Sequence, residues 1–375
     1  MEVIIKPVST RNDMKAFIRL PAKIHNNHLN WVPPIYMDEW SFFNQKKNRA
    51  FDNCDTVLAL AWKGKIAVGR IMGIISYDYN KIHNEKNARF AFAETRNEPE
   101  VYSALIRFVS DWAKSRGMEK LIGPLAFSDK DPQGYLIEGF DEPVSIASNC
   151  NFPYMVDLTE REGFQKKVDL VVYKIKVPDQ IPDFYSYISE RFYRNNNGSL
   201  KFLEFTSRRK IKPYIRSVFT LVNRTFNNIE GFLPFTEKEM DDFANRYLFL
   251  INPRFVKLVT DQSNNVVSFI IAMSDISEGI KKSKGYLIPF GIFRIFIAGR
   301  KSKQLNLLLG AIDPNYRGRG LDVMMGIKML ESAKKLGKTT IDTHLELEYN
   351  TNVRAEMERL GGVVYKKFRI YQKDL

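Results

Sequence analysis

The stretch from residue 305 to residue 330 constrains the fold of this chain most. The apolar run Leu305–Ile312 predicts a buried strand, and apolar residues recurring through Leu321–Leu330 predict a helix. Between them lie an Asp-Pro-Asn turn and the loop Arg317–Gly320, with the sequence Arg-Gly-Arg-Gly. A glycine-rich loop that opens a helix presents free backbone N–H groups and the positive end of the helix dipole. The stretch therefore predicts a pyrophosphate-binding loop at the end of a strand.

The spacing of this loop excludes two common phosphate-binding motifs. A G-x-G-x-x-G dinucleotide fingerprint is incomplete, and no acidic ribose-binding residue is evident on a second strand. The G-x-x-x-x-G-K-[ST] spacing of a P-loop is absent. An ordinary turn between a strand and a helix remains the alternative interpretation.

Length and charge narrow the class of protein. A chain of 375 residues suggests two domains, and a net charge of +14 favours anionic ligands. Cys54 and Cys150 form no disulfide framework, and none of the four histidines is spaced as a ligand pair, so we expect no metal site. The N-terminus has no signal-peptide pattern, which predicts a cytoplasmic protein.

The chain contains a degenerate internal repeat. Each half reads as a hairpin, a strand, a helix, a strand, a helix and a strand, which predicts an α/β architecture with mixed sheets. The matched segments are the hairpins 56–76 and 254–274, the helix ends at Gly117 and Gly337, the strands 120–127 and 339–347, and the final strands 168–174 and 363–370. We expect domains at 1–178 and 179–375, with the connection within residues 176–200.

The two halves differ at the predicted phosphate loop. Aligning Gly117 with Gly337 places Asn97–Glu100 opposite Arg317–Gly320. Two carboxylates repel a pyrophosphate, and Pro99 removes a backbone donor. The first half is therefore predicted to be a degenerate domain without the coenzyme loop, and the second half to hold the one site.

These motifs resemble those of a known superfamily. The pattern from Ile312 through Arg317-Gly318-Arg319-Gly320 to Leu321, after an apolar strand, resembles the acyl-CoA-binding motif of the GNAT (N-acetyltransferase) superfamily. Asn350 and the downstream Leu360-Gly361-Gly362 resemble the second motif of that superfamily. The resemblance covers most of both halves, so the whole chain resembles a tandem GNAT protein.

The resemblance implies direct acyl transfer in a ternary complex. Acetyl-CoA or another acyl-CoA would bind between the strands 305–312 and 339–347, and a primary amine of a small molecule or peptide would attack the thioester. A backbone N–H of the first strand would polarise the carbonyl. The residues that the resemblance assigns to acyl-CoA are Ile312, Arg317, Gly318, Arg319, Gly320, Leu321 and Asn350. Asn350 is also a candidate helix N-cap.

The catalytic groups are less well marked. Asp342, His344, Glu346 and Glu348 alternate with apolar residues, which predicts one polar face on a strand; Glu346 is the first candidate for the general base and His344 the second. A solvated strand face is the alternative. Two positions depart from the superfamily: Asp322 stands where Gly or Ala is usual, and Met357 where a tyrosine acid is common.

Three further stretches leave alternatives open. Residues 285–299 are apolar and flanked by lysine and arginine, so they predict a core helix, an acceptor-pocket wall or a peripheral membrane contact. The segment 123–141 predicts a surface connection that packs the halves together, or a cover over the acceptor cleft. The basic run 207–212 lacks interleaved aromatic residues, and we expect no nucleic-acid partner.

The sequence therefore predicts an N-acyltransferase, most simply an N-acetyltransferase. One alternative is an enzyme that takes a long-chain or acyl-carrier-protein-linked donor near the membrane. The other is a non-catalytic GNAT-like binding protein, suggested by the loss of the tyrosine at position 357.

Overall fold

The computed structural model describes residues 2–145, 148–180, 183–196, 198–227, 229 and 232–375. Within these residues, 14 strands form one mixed sheet flanked by helices. The strands are β1 Val3–Pro7, β2 Cys54–Lys63, β3 Ile66–Ser76, β4 Asn87–Thr95, β5 Lys120–Gly123, β6 Tyr135–Glu138, β7 Gln165–Lys176, β8 Lys201–Glu204, β9 Val256–Thr260, β10 Val266–Ser274, β11 Gln304–Ile312, β12 Thr340–Asp342, β13 Glu346–Leu347 and β14 Val363–Asp374.

Helices cover both faces of this sheet. They are α1 Arg11–Ile24, α2 Tyr36–Phe42, α3 Tyr77–His83, α4 Pro99–Lys114, α5 Tyr154–Arg161, α6 Asp183–Asn196, α7 Arg208–Ile211, α8 Ile215–Thr225, α9 Glu237–Tyr247, α10 Ser277–Lys282, α11 Gly291–Lys301, α12 Leu321–Lys335 and α13 Thr351–Arg359. In the first half α4 packs on one face and α1 on the other; in the second half α12 and α8 take these places.

The two halves are structural repeats. Strands β1 to β5 with α4 correspond to β8 to β12 with α12, and in each half a parallel pair follows the antiparallel hairpin: β4 with β5, and β11 with β12. The predicted hairpins, β11 and α12 all occur where the sequence places them. Residues 181–182 and 197 of the predicted connection lie outside the described residues; α6 occupies much of the rest.

The last strands of the two halves are exchanged. The sheet order runs β4-β5-β14-β7-β12-β11, so β14 of the second half lies beside β5, and β7 of the first half lies beside β12. The exchange reaches both cores, since Tyr371 of β14 is buried among first-half residues and Ile175 of β7 among second-half residues. The boundary at residue 178 remains a prediction, because the strand just before it pairs within the second half.

Two sequence predictions are wrong in detail. The strand predicted over 339–347 is two short strands, β12 and β13, because Thr343–Leu345 leaves the extended conformation and His344 has φ of 61°. The segment 123–141 is not simply a surface connection: it follows β5 and contributes β6 to the sheet, and Asp129–Gln133 line a cavity.

Candidate functional site

The candidate site lies where two parallel strands part. Strands β11 and β12 pair only from Gln304 to Asn306 on β11, while β11 continues along β10 as far as Ile312. Leu308 is an extra residue in the pairing with β10, where Leu309 faces Ile271 and Leu307 faces Ala272. Such a bulge leaves the extra residue outside the regular ladder of hydrogen bonds, which suits a backbone N–H directed at a ligand.

The loop after β11 opens helix α12 as predicted. Gly318 and Gly320 have φ of 70° and 81°, a region in which only glycine is unstrained, and Gly320 is the helix N-cap. No side chain caps this helix, so its first backbone N–H groups stay available to an anion. Arg317 and Gly318 line the cavity described next. The loop is therefore a candidate pyrophosphate site.

A cavity of about 1290 Å³ extends from this loop between the two halves. Ordinary small-molecule pockets occupy roughly 300–1,000 Å³, so this one accommodates a larger ligand or two substrates together. Its walls include Leu307–Ile312 of β11, Asp129–Gln133 and Trp31–Ile35 of the first half, and one face of α8. The walls are mainly apolar, so the cavity is suited to apolar groups.

Glu346 is one of the carboxyl groups that line this cavity. It is the first residue of β13, next to Val171 of the exchanged strand β7. Burial alone raises the pKa of its carboxyl to about 8, and no cation of the described residues opposes that shift. A carboxyl whose pKa burial raises towards neutral pH, in the wall of a cavity, is a candidate general base.

His344 lines the same cavity. Its Nδ1 accepts a hydrogen bond from the backbone N–H of Leu345 at 2.7 Å, which leaves the proton of the neutral ring on Nε2. Burial lowers the pKa of the ring, although Asp342 opposes the change. His344 is therefore a hydrogen-bond donor in this geometry, and Glu346 is the stronger candidate base.

The mouth of the cavity beside α12 and α13 carries both signs of charge. Arg317, Asp322, Glu356 and Arg359 all line it. Burial and the nearby Asp322 raise the pKa of Glu356. Asp322 thus brings to the cavity wall a charge opposite to that of Arg317 and Arg359.

The structure brings together most of the residues that the sequence singled out. Those that line the one cavity are Ile312, Arg317, Gly318, His344, Glu346 and Asn350, together with Asp322 and Met357. Arg319 is instead exposed, with its guanidinium 5.0 Å from the ring centroid of Tyr316, and Leu321 is buried in the core. Asn350 occupies the N-cap position of α13, but its side chain makes no capping hydrogen bond.

In the first half, the segment that corresponds to the Arg317–Gly320 loop carries carboxylates that are paired with a lysine. Pro99 begins α4, and Lys63 makes ion pairs with Glu98 and, at 2.8 Å, with Glu100. Carboxylates paired with a lysine at this helix end offer no attraction to a pyrophosphate.

Sequence reasoning missed two parts of the cavity. One is the aromatic and aliphatic wall contributed by α8 and the segment after it, including Val218, Phe219, Val222, Phe226, Phe232 and Phe235. The apolar residues at 218, 219, 222 and 226 have the spacing of one helix face, and this pattern could have predicted the α8 wall. The other is a polar group in the first half, where Arg70 donates to Glu94 at 2.8 Å beside Glu39, whose pKa burial raises to about 7.

Comparisons with known proteins cover the whole chain. No protein-family model matches the sequence. The chain is 27% identical to a protein from Caulobacter vibrioides named bacterial ceramide synthase, covering 100% of this chain and 98% of that relative. It is 25% identical to protein YghO of Escherichia coli, covering 99% and 95%.

Solved structures identify the architecture. A tandem GNAT protein from the clavulanic acid biosynthesis pathway superposes with a TM-score of 0.57 at 11% identity, covering 100% of this chain and 98% of that one. A GCN5-related N-acetyltransferase from Sphaerobacter thermophilus gives 0.53 at 11% identity, covering 99% and 95%. The resemblance predicted from the loop is thus confirmed at the level of fold: this chain has the fold of the tandem GNAT proteins.

Proposed function

We propose that this protein is an N-acyltransferase that moves an acyl group from acyl-CoA to a primary amine of a long-chain compound. The observation that carries the proposal is Glu346, a carboxyl with a pKa of about 8 in a large apolar cavity that begins at the Arg317–Gly320 loop. Two substrates held in one enclosed space gain effective molarity, and a base near neutral pH can deprotonate the attacking amine.

The proposed reaction is a single displacement. Glu346 takes a proton from the ammonium group, the amine nitrogen forms a bond to the thioester carbon, and the carbon–sulfur bond then breaks. The nitrogen loses its second proton as the amide forms, and the departing CoA sulfur takes up a proton to give the thiol. Backbone N–H groups near the Leu308 bulge would stabilise the oxyanion, and the Nε2–H of His344 is a further donor within the cavity wall.

The loop Arg317–Gly320 would hold the pyrophosphate of CoA. Its support is geometric: two glycines with positive φ and an uncapped helix start present the backbone N–H groups. Asp322 at the cavity wall would weaken this site, so we expect the affinity to depend on contacts with the acyl chain.

A long-chain amine is the favoured acceptor because of the cavity and one relative. The apolar volume exceeds what an acetyl group and a small amine need. The Caulobacter vibrioides relative is named for ceramide, the amide of a fatty acid and a long-chain amino alcohol. These two observations favour a long-chain amine as the acceptor, and a fatty acyl donor over acetyl-CoA.

The first test is acyl-CoA binding followed by product formation. Calorimetry would compare palmitoyl-CoA and acetyl-CoA on the native chain and on Gly320→Glu, which places a charge and a side chain at the helix start. Mass spectrometry would then look for the amide formed from palmitoyl-CoA and sphinganine. Binding that is lost in the variant, with amide formed only by the native chain, supports the proposal.

Two results would contradict it. Acyl-CoA binding without amide from sphinganine or any other amine would favour the non-catalytic alternative. If the protein did not bind acyl-CoA but transferred an acyl group from acyl-carrier protein, the donor would be acyl-carrier protein and not CoA.

A further inference from the structure

Helix α11 carries an apolar surface that no described part of the chain covers. Its inner face is buried through Gly291 and Ile295, which pack against α10. Its outer face is nonetheless apolar as well, and so is the turn before it. The exposed side chains, hereafter the α11 patch, are Tyr286, Ile288, Phe290, Phe293, Phe296 and Ile297.

The degree of exposure is unusual for side chains of this size. Ile288 is 80% exposed, Phe290 67% and Phe293 63%. A helix that is apolar on all sides is normally enclosed on all sides, and contiguous exposed apolar patches mark sites of interaction. The sequence alternative of a core helix is therefore wrong for this outer face, and residues 285–299 do not line the cavity either.

The charged side chains of the segment 281–303, which carries the patch, are all basic. The segment contains Lys281, Lys282, Lys284, Arg294, Arg300, Lys301 and Lys303, and the sequence has no acidic residue between Glu278 and Asp313. Arg294 is fixed by a hydrogen bond of 2.6 Å from its Nη1 to the carbonyl of Lys282. Aromatic and aliphatic side chains within a basic rim match the headgroup region of an anionic bilayer.

The patch lies one layer of side chains from the cavity. Ile295 of α11 packs in one buried cluster with Ile280 and Leu308, and both of these residues also line the cavity. Leu308 is the bulge residue of β11. The surface that would meet a bilayer is thus backed by the wall of the site itself.

From these contacts we propose that the α11 patch docks the protein peripherally on a membrane surface that contains anionic phospholipid. The phenylalanines enter the boundary between headgroups and acyl chains, and the lysines and arginines contact the phosphates. None of the described helices offers an apolar stretch long enough to cross a bilayer, so the contact proposed is with one leaflet. The proposal rests on the surface and its charges and does not depend on the proposed function.

Vesicle flotation of the purified full-length chain tests this inference. The native chain should float with vesicles of equal parts phosphatidylcholine and phosphatidylglycerol, at least about tenfold more than with phosphatidylcholine alone, and raised salt should weaken the binding. Phe290→Ser with Phe293→Ser should abolish flotation. The matched control is Ile66→Ser with Ile82→Ser, two equally exposed apolar residues of the first half, which should float as the native chain does.

A second pair of variants separates the charges from the apolar side chains. Arg300→Glu with Lys301→Glu should reduce binding to the phosphatidylglycerol vesicles at least about tenfold, whereas Lys65→Glu with Lys114→Glu, the same charge change on the first half, should not. Flotation of the patch variant equal to the native chain would overturn the proposal. So would no binding by the native chain, or a native dimer that the patch variant converts to a monomer, since a second copy would then be the occupant.

Discussion

The hydroxyl of Tyr365 donates a hydrogen bond to Oδ2 of Asp342. Ser145 of the first half donates to the same oxygen at 2.8 Å, and the backbone N–H of His344 donates to Oδ1 at 2.9 Å. Asp342 itself is 1% exposed. One buried carboxylate thus joins a first-half loop, the exchanged strand β14 and the turn that carries His344 towards the cavity.

We expect Asp342→Asn to cost more stability than Tyr365→Phe. Hydrogen bonds to a charged group contribute about 1.5–3 kcal/mol each. Tyr365→Phe removes one of the three bonds to this carboxylate and should lower the free energy of unfolding by about 1.5–3 kcal/mol, whereas Asp342→Asn replaces the charged acceptor of all three and should lower it by more. Denaturant unfolding measures both. Equal costs for the two variants would show that Asp342 does not depend on its other donors, Ser145 and the His344 N–H.

Glu346→Gln should abolish turnover while leaving acyl-CoA binding intact. Loss of a general base typically lowers the rate about 10²–10⁴-fold. The native rate should rise with pH through about 8, because the base acts only in its ionised form and burial holds the pKa there. Glu348→Gln is the control, since Glu348 is paired with Lys166 at 2.7 Å. A variant that keeps the native pH profile would exclude Glu346 as the base.

The same substitution should raise stability in alkaline solution. Glu346 has a folded pKa of about 8 against an ordinary value of 4.5, so the folded state holds its proton more tightly. Stability therefore falls as pH rises from 4.5 to 8, and glutamine removes this loss. We expect Glu346→Gln to be more stable than the native chain by on the order of 1–3 kcal/mol at about pH 9 and equal to it at about pH 4. Thermal unfolding at both pH values measures the difference.

Gly318→Ala and Gly117→Ala form a matched pair for the phosphate loop. Both glycines have positive φ, 70° and 73°, and a Cβ at either would meet nothing within 4 Å. Each variant should therefore lose about 1–2 kcal/mol of stability from backbone strain alone. Only Gly318→Ala should weaken acyl-CoA binding in calorimetry. Equal affinities for the two variants would remove the loop from the coenzyme site.

Val218→Phe should shorten the chain that the cavity accepts. Val218 lines the cavity from α8, and a phenyl ring there fills space that a hydrocarbon chain would use. In a series of acyl-CoA donors and amines of increasing length, we expect kcat/KM to fall at least about tenfold for the longest members only. An equal fall in kcat/KM for all members of the series would show that the side chain at position 218 does not limit the chain length of the substrate.

The sequence predicted those strands and helices whose ends are marked by nearby residues. Alternation and turn residues mark the hairpins β2–β3 and β9–β10, and the glycine pair marks the start of α12. The sequence predicted a single strand over residues 339–347, because polar and apolar residues alternate there as they do in a strand. Only the structure shows that the backbone N–H of His344 donates a hydrogen bond to Asp342 where the chain turns between β12 and β13.

The strand exchange could not be predicted from the sequence, for a physical reason. Strands β7 and β14 share the sequence Val-Val-Tyr-Lys, at 171–174 and 363–366, so local propensity and apolar pattern suit either strand to either place. The choice depends on contacts far apart in the chain. The sequence could not predict the cavity walls for the same reason, since α8 and Asp129–Gln133 come together only in the folded molecule.

The exchanged strands also decide how this protein can be divided. A cut near residue 178 would leave each fragment with a final strand whose partners β5, or β12 and β13, lie on the other fragment. Each fragment would then expose unpaired backbone along an edge that is interior in the intact sheet. Expressed together, the fragments should reassemble; expressed singly, each should aggregate. We therefore expect the two halves to fold only together, as a single cooperative unit.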